Sequence, residues 1–153
     1  MRGCAAKTDA ESMTRRDSYK RFIEIPTRWM DNDVYGHVNN VIYYSYFDTV
    51  VNEHLVREAA LDIRAAPTIG VVVETCCRFH KPISFPDVVD AGLRVAKLGN
   101  SSVTYEIGLF RRGEDEPAAT GHFVHVWVDR DTRRPTPVPP AVRAALAELM
   151  ASR

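Results

Sequence analysis

Residues 41–60 read VIYYSYFDTVVNEHLVREAA. The apolar residues Tyr43, Phe47, Val50, Val51 and Leu55 recur at three- and four-residue steps, so they form one broad stripe on an α-helix. Asp48, Asn52, Glu53 and Arg57 take the other faces. Asn39 or Asn40 is suited to cap this helix, because an asparagine side-chain oxygen accepts a hydrogen bond from an unpaired first-turn amide. The helix is expected to end near Ala60, ahead of Pro67. The one other helical pattern is C-terminal, where Val142, Leu146, Leu149 and Met150 form a short stripe after Pro140, a residue suited to a first helical position.

Around this long helix the pattern changes to period two. Ile23, Ile25, Thr27 and Trp29 alternate with Glu24 and Arg28, as in a half-buried strand, and Pro26 suits an edge. Residues 68–80 place Ile69, Val71, Val73, Thr75, Cys77 and Phe79 on one face. Val72 and Cys76 lie on the other beside Glu74, Arg78 and His80, and that second apolar patch points to contact with another surface. Strands over 88–98 and 103–110 flank the turn Gly99-Asn100-Ser101, and 119–129 supplies the last. The connections among these later strands are short, so neighbours should pair antiparallel. One early helix among antiparallel strands is α+β: a five-stranded antiparallel sheet wrapped around one long central helix, plus a short C-terminal helix. The helix covers only part of the sheet, so a second subunit is expected to meet the rest. The expected organisation is a disordered leader over 1–18, a folded domain over 19–130, and a proline-rich linker with the terminal helix over 131–153.

Composition sets the outer limits. The chain has 153 residues, with 20 basic and 20 acidic side chains and a net charge of zero. That argues against a nucleic-acid partner, whose binding face carries a basic excess, and it removes a repulsion that would oppose self-association. No run of about 18 apolar residues exists, so no membrane-spanning helix is expected. The polar start lacks the apolar core of a secretory signal, which points to the cytoplasm. Cys4, Cys76 and Cys77, an odd count with two adjacent, suggest neither a disulfide framework nor a zinc site.

Chemistry concentrates just before the long helix, in Asp31-Asn32-Asp33-Val34-Tyr35-Gly36-His37-Val38-Asn39-Asn40. Two carboxylates, an imidazole and several amides precede a helix N-terminus, whose unpaired amides and positive dipole suit an oxyanion. A carboxylate there can act as nucleophile or general base on a carbonyl. Asp, Asn and Gly also favour turns for purely local reasons, and Asp31 suits a loop-bracing acceptor better than a reactive group. Asp31-Asn32-Asp33-Val34 matches the start of a haloacid-dehalogenase-like phosphatase motif, but the preceding apolar strand and alternating β/α chain are missing. Asp31, Asp33 and His37 form an incomplete metal set with no second cluster.

With these residues in view, the chain resembles the hotdog-fold acyl-CoA thioesterases of the 4-hydroxybenzoyl-CoA thioesterase-like group. The shared pattern is Asp31-x-Asp33-x-x-Gly36-His37-Val38-Asn39-Asn40-x-x-Tyr43, and its Gly-His-Val-Asn-Asn form is most similar to the long-chain acyl-CoA branch. Lys81-Pro82, Asp87 and the turn at 99–102 extend the resemblance, which covers about residues 19–129. It implies hydrolysis of an acyl-CoA thioester to acid and CoA. Asp33 would attack the thioester carbonyl or activate water, and the Asn40 backbone amide would polarise that carbonyl. Gly36 would let the loop turn tightly, His37 and Asn39 would shape it beside the catalytic pair, and Tyr43 would line the acyl pocket. The resemblance implies no metal or redox cofactor. It also implies a homodimer or homotetramer with the site at a subunit interface, where strand 68–80 of the other subunit would bring Glu74.

One departure concerns the turn Lys97-Leu98-Gly99-Asn100-Ser101-Ser102, which holds a single lysine where some members place a basic cluster for the CoA phosphates. Arg78, Lys81 or Arg94 would then serve, or an acyl-carrier-protein thioester would be the substrate. Two other readings are a hydratase or dehydratase using an Asp33–His37 pair, and a non-catalytic acyl-CoA-binding module.

Overall fold

The computed structural model describes residues 15–150; most of the expected leader lies outside the described residues. The elements are β1 (Arg21–Pro26), α1 (Asn40–Glu58), β2 (Thr68–Phe79), β3 (Val88–Leu98), β4 (Ser102–Arg111), β5 (Ala119–Asp129) and α2 (Pro140–Ala147). One sheet contains all five strands in the order β1-β3-β4-β5-β2. Every neighbouring pair is antiparallel. The sheet wraps α1, the α+β hotdog arrangement expected from the sequence.

The apolar stripe of α1 is what the sheet encloses. Tyr43, Phe47, Val50, Val51 and Leu55 are buried, and Tyr46 and His54 join them. The apolar members share one core with Leu93, Tyr105, Ile107, Phe123 and Trp127 from the sheet's inner face. Each fully buried side chain of this kind contributes about 1.5–3 kcal/mol. Close approach needs one glycine: a Cβ on Gly121 would run into the Cys76 carbonyl of β2 and stand 2.6 Å from the Phe47 ring, so a larger residue would disturb both the β2–β5 pairing and the seat of α1. Asn39 is the N-cap, its side chain accepting the Val41 N–H at 3.2 Å.

The single alternation expected for β2 is corrected by the structure. Its register with β5 shifts between Val72 and Glu74, leaving Val73 as the extra residue of a β-bulge. Before the bulge, Gly70 faces inward against the His125 ring, so Val72 shares that face and Ile69 and Val71 point outward. After it, Phe79 meets Tyr43 of α1 at 4.9 Å, so Thr75 and Cys77 point inward and Glu74 outward. A bulge reverses the parity of every later side chain. The set read as one face is therefore split between two.

α2 is part of the core. Val142, Ala145 and Leu146 are buried, His54 of α1 lies 3.2 Å from the Ala145 carbonyl, and the Leu149 carbonyl accepts the Val95 N–H of β3. On the sheet's outer face, Tyr19 lies over Gly92 and Gly108, where added Cβ atoms would stand 2.9 and 2.6 Å from its ring. Arg16 caps the same cluster, 4.9 Å from the Phe110 ring and paired with Asp90 at 3.0 Å. Cys77 is a free thiol whose pKa burial pushes up to about 12.

Candidate active site

The polar loop is built as a small hairpin leading into α1. A 3-10 turn over Trp29–Asp31 opens it, with the Asp31 N–H donating to the Arg28 carbonyl at 2.9 Å. Asn32 then pairs antiparallel with Val38, and the Asn39 N–H donates to the Asp31 carbonyl at 2.8 Å. Asp33 and Gly36 mark the reversal. The Asp33 N–H donates to His37 O at 2.8 Å, and the Gly36 N–H donates to Asp33 O at 3.1 Å. The Asp33 carboxylate accepts the Tyr35 N–H at 2.8 Å, a local Asx turn. Gly36 has φ +83°, a left-handed conformation that a β-carbon penalises, so the turn requires glycine here.

Beneath the hairpin lies a buried carboxylate. Asp31 is fully buried and accepts the Tyr46 hydroxyl at 2.9 Å, the Arg28 N–H at 2.9 Å and the Arg28 Nε at 3.0 Å. Burial alone would raise its pKa. The bonds from the Arg28 backbone, the guanidinium and Tyr46 outweigh that and hold it below the usual carboxylate value. The Tyr46 phenol shifts the opposite way, raised by burial and by its bond to Asp31. Asp31 is thus the brace, as its position suggested.

Within one chain the candidate residues fall into two groups. Asp33, Gly36, His37, Asn39 and Asn40 share the hairpin and helix start. Asn40 is the first residue of α1, and its N–H meets no acceptor among the described residues. The His37 side chain is exposed and makes no hydrogen bond among them; His37 meets Asp33 through the backbone. Tyr43 lies one turn along α1, buried against Phe79 and Tyr46, where burial raises the phenol pKa. Glu74 is elsewhere, on β2 near His122 at 3.5 Å. It borders an open cleft of about 630 Å³ lined by Tyr44, residues 74–78 and His122. No hairpin residue lines that cleft.

Of the basic residues considered for phosphates, Arg94 is buried and paired with Glu106. Lys81 lies 3.9 and 3.7 Å from Glu114 and Glu116. Arg78 lines the cleft. Sequence reading missed the residues that grip the hairpin: Tyr46, Asn32, whose Oδ1 accepts the Phe85 N–H at 3.0 Å, and Ser84, whose hydroxyl donates to Gly36 O at 2.7 Å. The helical period alone could have placed Tyr46 near the stripe; Asn32 and Ser84 carry no local signal.

The chain is similar to several proteins of known structure. The PA5185 protein of Pseudomonas aeruginosa strain PAO1 is 51% identical, with a TM-score of 0.89, over 90% of this chain and 96% of that one. The PA2801 protein of the same species is 34% identical with a TM-score of 0.76, over 83% and 98% of the two chains. A thioesterase from Thermus thermophilus, crystallised with coenzyme A and Zn, is 29% identical with a TM-score of 0.73, over 87% and 96%. The family model of the thioesterase-like superfamily matches residues 27–146. That span takes in the braced hairpin, the whole sheet beyond β1 and most of α2, which the sequence resemblance had left out. With this much of the fold and the loop accounted for, the chain belongs to the thioesterase-like superfamily.

Proposed function

We propose that the protein hydrolyses acyl-CoA thioesters, with Asp33 as nucleophile or general base and the Asn40 N–H polarising the thioester carbonyl. One observation carries the reading: Asp33 and the first amide of α1 belong to a single hydrogen-bonded unit, and that amide has no acceptor among the described residues. A carbonyl oxygen at the helix start would meet an N–H backed by the helix dipole. As the carboxylate or an activated water adds to the carbon, negative charge builds on that oxygen. Collapse then expels CoA as thiolate, leaving the free acid directly or, after attack by Asp33, a mixed anhydride that water hydrolyses to the acid and the Asp33 carboxylate. A carboxylate, an amide and a water suffice, so no cofactor is assigned.

The site is proposed to be completed by a second subunit whose β2 brings Glu74 toward the loop. The coenzyme A bound by the Thermus thermophilus relative supports CoA as the thiol portion. Hydration or dehydration would need an Asp33–His37 side-chain pair, whereas the exposed His37 side chain makes no hydrogen bond among the described residues.

Thiol release from a panel of acyl-CoAs tests the proposal. Wild-type protein should turn over at least one acyl class, and Asp33→Asn should lower kcat by about 10²–10⁴-fold. Undiminished activity in Asp33→Asn would remove Asp33 from the mechanism. Enoyl-CoA consumption without thiol release would replace hydrolysis with hydration.

A further inference from the structure

We propose that Ser84 is a positioning residue that holds the Asp33 turn in its working orientation. The inference deepens the thioesterase reading and rests on it for its kinetic consequences. Ser84 lies between β2 and β3, 48 residues from Gly36, and three consecutive residues there grip the hairpin. Ile83 O accepts the Val38 N–H at 2.7 Å. Ser84 Oγ donates to Gly36 O at 2.7 Å. The Phe85 N–H donates to Asn32 Oδ1 at 3.0 Å. Asp33 sits between the first and last of the residues held, and Gly36 closes the turn that Asp33 opens.

The grip is itself braced. The Ser84 N–H donates to Asp87 Oδ2 at 3.0 Å, and the Asp87 N–H returns to Ser84 O at 2.7 Å. Asp87 O in turn accepts both the N–H and the hydroxyl of Thr27, just after β1. Ile83 is fully buried, which anchors the segment in the core. Ser84 therefore has a fixed position from which to act.

Its hydroxyl acts on a peptide of the hairpin that packing does not hold. Gly36 has φ +83°, and nothing lies within 4 Å of where its Cβ would be, so packing does not restrain it. The bond from Ser84 fixes the plane of the peptide joining Gly36 to His37. His37 O then accepts the Asp33 N–H at 2.8 Å. Of the three gripping contacts, this is the only one made by a side chain of the 83–85 segment, so substitution can remove it alone. Displacing a reacting group by about 1 Å costs about 100-fold in rate.

The test uses the full chain with Ser84→Ala and Ser84→Thr. Amide exchange at Asp33 and Gly36 reports on the turn without any need for turnover. In Ser84→Ala these two amides should exchange about 10-fold faster. With an acyl-CoA that wild-type protein cleaves, kcat should fall about 10- to 100-fold while KM stays within about twofold, the split expected of a residue that orients rather than binds. Ser84→Thr keeps the hydroxyl and should restore both readouts. Wild-type exchange and kcat in Ser84→Ala would overturn the proposal. So would equal impairment in Ser84→Thr, because the hydroxyl would then not be the cause. If wild-type protein cleaves no thioester, the functional reading falls, and unchanged exchange would still defeat the clamp while faster exchange would uphold it.

Discussion

β1 and β2 both end the sheet, but β1 spans six residues and is tied down, whereas β2 spans twelve and carries exposed apolar side chains. β1 finishes in Pro26, which lacks an N–H to offer a neighbour. Arg21 ties it to α1 through Glu53 at 3.0 Å and Glu58 at 3.1 Å. Tyr19 packs edge-on against Phe22 at 6.3 Å. Along β2, by contrast, Val73 is 58% exposed and Phe79 51% among the described residues, and the open cleft borders it. A long edge strand with exposed apolar side chains is a ready template for another chain. The contrast supports placing the proposed subunit contact on β2 and not on β1.

Breaking the β2 edge should give the largest effect. Val73→Lys places a charge in the middle of β2 at a side chain that contributes nothing to the core. Sedimentation should show a folded monomer in place of an oligomer. Thioesterase activity should drop about 100-fold or more, because the site would lose its second half. An unchanged oligomer with full activity would move the contact away from β2.

A second experiment sharpens the comparison through pH. The β2 side holds His125, its ring pressed against Gly70 and its Nδ1 3.3 Å from the Tyr105 hydroxyl. Burial lowers its pKa from 6.5 to about 4. The unfolded chain therefore takes up a proton below pH 6.5 that the folded chain refuses until about pH 4. Stability should fall as pH drops through that window, by about 3 kcal/mol in total. Urea midpoints should show this fall in wild-type protein and a flatter profile in His125→Gln. Parallel profiles would assign the acid sensitivity to another group.

The smallest effect belongs to the β1 edge. Arg21→Ala removes two partly exposed ion pairs, worth about 0.5–1 kcal/mol together. Thermal melting should shift by a few degrees at most. Oligomeric state and activity should be unchanged. Conversion to a new assembly would show that these pairs shield β1 from pairing.

Much of this architecture could be read locally. The α1 stripe and its Asn39 cap appear in the sequence because a helix repeats every 3.6 residues and its cap lies beside it in the chain. β3 and β5 match their expected bounds, since period-two alternation between turn residues is also local. β2 defeated the same reasoning: one extra residue at Val73 reverses side-chain parity, and an apolar valine in an apolar run does not announce a bulge. The site divides in the same way. Gly36 and the Asp33 turn follow from short-range backbone chemistry. The Ser84 grip spans 48 residues and the Asn32 contact 53, with no periodicity to reveal either.

By itself the sequence determined one long amphipathic helix, strands enough for one sheet, and a polar loop placed against the helix start. These rest on hydrogen bonds and side-chain spacing within a few residues. Only the tertiary structure decided that β2 lies beside β5 at the end of the sheet, that α2 belongs to the core, and that the segment after β2 grips the Asp33 hairpin. Those outcomes depend on contacts between residues far apart in the chain, where burial and hydrogen-bond satisfaction select one arrangement among many with the same local pattern.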